Sequence, residues 1–73
     1  MEFENFGLNV AKQRIRMDLS AYELSLRLGK DPSYVSKLES GKVNATLKII
    51  LAIAENLKIP PTVLFEEPPK EAK

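Results

Sequence analysis

"SAYELSLRLGKDPSYVSKLESGK", residues 20–42, contains two short helical patterns separated by a single glycine. Ser20-Ala21-Tyr22-Glu23 has the form of a capping box, in which Ser20 accepts the amide of Glu23 and Glu23 reaches back to the amide of Ser20. Leu24 and Leu28 follow at an i, i+4 spacing, so the pattern predicts a helix over 21–28 that stops at Gly29. Lys30 and Asp31 leave a very short connection. Asp31 is a good N-cap, Pro32 suits a first helical position, and Val35 with Leu38 marks an inward face. A second helix over 32–40 is expected, ended by Gly41.

Working outward, residues 5–17 predict a first helix with Phe6, Val10 and Met17 near one stripe and Lys12 and Arg16 on wetter faces. After the polar loop 42–45, Thr46 is placed to cap an apolar helix over 47–57, in which Leu47, Ile50, Ile53, Ala54 and Leu57 recur at helical spacing. Pro60 and Pro61 break that pattern, and Pro61 opens a last short turn through Phe65. The tail 66–73, "EEPPKEAK", has too little apolar surface to fold and predicts disorder. No segment alternates as a strand does and nothing repeats. The economical fold is an all-α domain of five helices over residues 1–65.

With 73 residues the chain supports one small core, and a domain of this size buries only roughly 60% of its unfolded surface. There is no cysteine and no histidine, so a disulfide framework and ordinary zinc sites are excluded. Glu2 and Glu4 stand where a secretory signal needs basic and apolar residues, and no run approaches the roughly 20 apolar residues of a membrane span. A cytoplasmic protein without membrane contact is expected. Net charge is only +1, so bulk electrostatics do not attract a polyanion. The acids crowd the two ends, however, and leave residues 11–48 basic.

Leu24, Ser25, Leu28, Gly29, Val35 and Leu38 supply, in order, what two helices meeting at an angle require: apolar anchors, a small residue at the approach and a glycine at the turn. This is the spacing of a helix-turn-helix. Together with "RIRMDLSAYELSLRLG", "DPSYVSKLESGK" and "TLKIILAIAENLKIPPTVLF", it makes the chain resemble the Xre type of helix-turn-helix domain, the family of phage Cro and repressor proteins. The resemblance extends from about Gly7 to Phe65. It implies a compact, lambda-repressor-like domain whose third helix lies in the major groove of double-stranded DNA, with the N-terminus of the second helix aimed at a phosphate.

On that footing Ser33, Tyr34 and Lys37 are the candidate base readers, with Lys37 suited to guanine and Ser33 to either donor or acceptor edges. Pro32 departs from the glutamine of many family members, which shifts reading to those three residues. Ala21 departs from a second common glutamine, at the start of the second helix, where free backbone amides remain. Ser20, Ala21, Tyr22, Ser36, Ser40, Lys42 and Asn44 are the candidate phosphate contacts. The resemblance also implies an ion pair between Arg14 and Glu39 that ties the first helix to the end of the third. Ile49 and Leu51, with Val63, Leu64 and Phe65, are candidates for a homodimer interface, which would place two recognition helices about 34 Å apart on an inverted repeat.

Catalysis finds no support, because the chain lacks histidine, cysteine and a phosphate-binding glycine loop. No cofactor or metal is expected. The function implied is sequence-specific transcriptional regulation by a repressor or small controller protein. The alternative is an antitoxin or adaptor that uses the same fold mainly to hold a protein partner.

Overall fold

Ser20 and Thr46 each stand in extended backbone immediately before a helix, and each hydroxyl oxygen accepts the amide three residues on: Glu23 at 2.9 Å and Ile49 at 3.2 Å. Each cap thereby satisfies one of the four orphan amides at its helix start. The computed structural model describes residues 3–67, as α1 (Phe3–Arg16), α2 (Ala21–Arg27), α3 (Tyr34–Glu39), α4 (Leu47–Leu57) and a 3₁₀ helix, Pro61–Phe65. The fold class is all-α, but the expected fifth helix is 3₁₀ rather than α. Five residues opened by a proline close with i→i+3 bonds, Val63 N–H to Pro60 O at 3.1 Å among them. Most of the predicted polar tail, from residue 68 on, lies outside the described residues.

Several local expectations are corrected. Glu23 does not return to the Ser20 amide; its carboxylate meets Arg27 Nε at 3.3 Å, the favourable i, i+4 arrangement with the acid N-terminal to the base. Asp31 does not cap a helix beginning at Pro32. Its carboxylate instead takes the Ser33 amide, two residues on, and Tyr34 N–H bonds to Asp31 O at 3.0 Å, so residues 31–34 form a turn and α3 begins at Tyr34. Met17 leaves the inward stripe and is 41% exposed, because α1 ends at Arg16 and Asp18 takes a left-handed φ of 57°. Leu47, expected on the inward side of α4, is 69% exposed; it opens the helix ahead of Ile49 and Ile50, where the packing of α4 against the core begins.

The core is formed by Phe6 and Val10 of α1, Leu24 of α2, Val35 and Leu38 of α3, Ile53, Ala54 and Leu57 of α4, and Leu64 of the 3₁₀ helix. Two polar residues share the inner face of α1. Asn9 Nδ2 donates to Leu64 O at 2.9 Å and Glu66 O at 2.7 Å, which fastens the C-terminal turn to the first helix. Gln13 accepts from Arg16 at 3.0 Å. Gly7 marks the crossing of α1 and α3: a Cβ there would run into the Glu39 carbonyl, 2.9 Å from its carbon.

The α2–α3 joint rests on Ser25, which is fully buried. Its hydroxyl donates to Ala21 O at 2.8 Å and accepts the Val35 amide at 2.9 Å. The second bond caps α3 from another helix, because the early amides of α3 have no partner within it. Gly29, at φ 74°, lets the chain turn between the two helices. Substituting Ser25→Ala strands the buried Val35 amide and should lower stability by about 1 to 3 kcal/mol. The midpoint of urea unfolding reads this directly, and an unchanged midpoint would show that the bridge holds nothing.

Candidate nucleic-acid interface

With Val35 and Leu38 fully enclosed, α3 has only one face to offer. At about 100° per residue, Ser36 and Lys37 sit roughly 130° from the inward direction, whereas Tyr34 and Glu39 flank it at roughly 70°. The exposures follow that geometry. Ser33, Ser36 and Lys37 are exposed, and Tyr34 and Glu39 are half-buried.

Tyr34 therefore differs from the other two candidate base readers. Its ring packs partly on the core, the Lys30 ammonium lies 5.4 Å from the ring centroid, and burial pushes its phenol above the ordinary range. Lys30, which the sequence pattern did not single out, is thus held beside the start of α3. Its signal was there: a lysine four residues before a tyrosine, across the Asp31-Pro32-Ser33 turn.

Arg14 and Glu39 close the other end of α3. The guanidinium meets the carboxylate with two bonds, Nε to Oε2 at 2.7 Å and Nη2 to Oε1 at 3.1 Å, and Nη1 donates to Leu19 O at 2.9 Å. Both side chains are largely shielded, at 15% and 13% exposure, and hydrogen bonding to Glu39 above all raises Arg14 beyond its ordinary value. Glu39 consequently presents no free negative charge beside the exposed face.

The candidate phosphate contacts divide by where their protons go. Ser20 accepts the Glu23 amide, which leaves its hydroxyl proton free for an anion. Ser40 donates to Lys37 O at 3.1 Å, so its proton faces its own helix. Ser36, Lys42, Asn44 and Tyr22 are exposed, and Ala21 is half-buried and offers only backbone. Lys42 is set by a turn through Gly41, at φ 81°, in which its amide bonds to Lys37 O at 2.9 Å. Among the described residues no cluster of acidic side chains could hold a metal ion. Among them, too, no helix is long and apolar enough to cross a membrane.

Apolar residues are also exposed on α4 and the 3₁₀ helix. Leu47 and Leu51, one turn apart on α4, are 69% and 48% exposed, and Phe65, stacked on Phe6 at 5.3 Å, is 37% exposed. Ile49 and Val63 are half-buried. Leu64 is removed from the candidate interface: it is fully enclosed by its own core and has no surface to share.

Comparison with protein families matches residues 10–64 to the helix-turn-helix family. Among solved structures, the restriction-modification controller protein C.AhdI from Aeromonas hydrophila is similar. It is 36% identical with a TM-score of 0.80, over 86% of this chain and 96% of that one. Comparison with curated proteins gives no match. A match that spans the buried joint, the exposed α3 face and the C-terminal turn establishes that the chain belongs to the Xre-like helix-turn-helix family of DNA-binding transcription regulators.

Proposed function

We propose that the protein is a sequence-specific regulator that binds an inverted-repeat operator as a homodimer, with α3 of each copy in the major groove. The observation that carries this reading is the division of α3 itself. Val35 and Leu38 are locked inward, Arg14 neutralises Glu39, and Ser33, Ser36 and Lys37 are left on the exposed side. Lys37, with three donors and no acceptor, suits guanine O6 and N7, and Ser33 and Tyr34 contact neighbouring base edges or, for Tyr34, a phosphate. The free backbone amides at Ala21, the hydroxyls of Ser20, Tyr22 and Ser36, and Lys42 and Asn44 hold the DNA backbone. Ser40 is a weaker member of that set.

The similar structure is that of a restriction-modification controller, which favours a small controller protein over a larger, effector-gated regulator. A second copy would cover the exposed Leu47 and Leu51, one turn apart on α4, and the exposed Phe65 of the 3₁₀ helix, with the half-buried Ile49 and Val63 at most at its edge. Two-fold pairing would set the recognition helices about 34 Å apart, one turn of the duplex.

Selection of bound sequences from a random duplex library should enrich an inverted repeat, and the logarithm of the affinity for it should fall linearly with log salt through counterion release. Absence of any enriched sequence, with weak binding even at low salt, would rule the regulator out. On the selected duplex, Lys37→Ala should relax preference at particular positions by about 1 to 3 kcal/mol, whereas Lys42→Ala should weaken all sequences alike and flatten the salt dependence. The same behaviour from both variants would refute the division between base and phosphate contacts.

A further inference from the structure

Ser33 is exposed beside α3, yet both of its donors are already committed. Its hydroxyl oxygen lies 2.7 Å from Asp31 Oδ1, and the same carboxylate oxygen accepts the Ser33 amide at 2.9 Å. An ionised carboxylate has no proton, so the hydroxyl must be the donor in this contact. The Ser33 hydroxyl, then its amide, hold Asp31 below the ordinary carboxylate range, and a carboxylate in that range is itself already ionised at neutral pH. A serine carries one hydroxyl proton. With that proton on Asp31, only lone pairs face outward.

This changes what Ser33 can read. A free serine pairs with donor or acceptor edges alike, but an acceptor-only serine is repelled by guanine O6 and N7 and by thymine O4. Resting on the reading of α3 as the groove helix, we infer that Asp31 is a specificity-determining positioning residue, which makes Ser33 select a base that presents an exocyclic amino group in the major groove, adenine or cytosine. Lys37 has the complementary restriction and takes an acceptor-rich guanine. The Lys37 amide bonds to Ser33 O at 3.1 Å, so the two residues are one helical turn apart. A turn advances about 5.4 Å, or one to two base steps of about 3.4 Å. Each half-site should therefore hold a guanine one or two steps from an adenine or cytosine.

Sequences selected by the wild type, Ser33→Ala and Asp31→Ala from one random duplex library test this. The position that loses its preference in Ser33→Ala is the one Ser33 reads. The wild type should hold adenine or cytosine there, and Asp31→Ala, whose freed hydroxyl both donates and accepts, should admit guanine or thymine, its discrimination falling roughly 3- to 10-fold. A merely structural role for Asp31 would weaken all sequences equally and leave that preference in place. As a measurement that needs no Asp31 variant, the selected duplex is remade with an analogue lacking the exocyclic amino group at that position. Wild-type binding should weaken by a similar factor and Ser33→Ala binding should not change. Guanine or thymine preferred by the wild type, indifference of the wild type to the analogue, or an unaltered preference in a folded Asp31→Ala overturns the inference and leaves the regulator reading intact. If the wild type enriches no sequence, both fall.

Discussion

The buried hydroxyl of Ser25 joins two helices that could not persist separately. α2 has seven residues and α3 has six, well below the length at which an isolated helix is stable in water. Their geometry is therefore whatever their attachments impose. Ser25 donates into α2 and accepts from α3, Leu24, Val35 and Leu38 fill the space beneath, and the Arg14–Glu39 pair fixes the far end of α3 to α1. The close crossing of α1 at Gly7 completes the seat. A helix of less than two turns is held by its neighbours at both ends and along its inner face, and this is what keeps its outer face in one orientation.

Charge is handled by placement rather than amount. A net charge of +1 gives no general attraction to a polyanion. Two of the acids nearest the exposed face are occupied instead: Glu39 by the Arg14 guanidinium and Asp31 by the Ser33 hydroxyl and amide. A third, Glu23, pairs with Arg27. Lys30, Lys37 and Lys42 stay exposed along the same part of the chain, so the local balance is more basic than the total suggests.

How much of this could be read from the sequence depends on the range of the interaction. The caps at Ser20 and Thr46 and the turns at Gly29 and Gly41 involve residues within five of one another, and the patterns that announce them are local. The inward positions of Val35, Leu38, Ile53, Ala54 and Leu57 follow from helical period alone. Failures came where two local partners compete, as when Glu23 chose Arg27 over the Ser20 amide, or where an Asx turn displaced a cap, as at Asp31. They came also at element ends, where periodicity stops predicting: Met17 and Leu47 both fell outside the packed stripe. The tie from Asn9 to Leu64 and Glu66 and the crossing at Gly7 link distant segments and leave no local pattern. For the candidate site, period separates Lys37 and Ser36 from the core and sets Tyr34 at its flank, but it cannot say that Lys30 lies over the Tyr34 ring or where the proton of Ser33 lies.

The central claim is that the outer face of α3, held by Ser25 and by Arg14–Glu39, is the surface that meets DNA bases. The most direct measurement is the change in backbone amide resonances when the selected duplex is added to the labelled protein. The account predicts the largest changes at residues 33–37, with a second group at 20–22 and 42–44, while the buried amides of α4 stay in place. Changes confined to the outer faces of α1 or α4, with residues 33–37 unmoved, would contradict it.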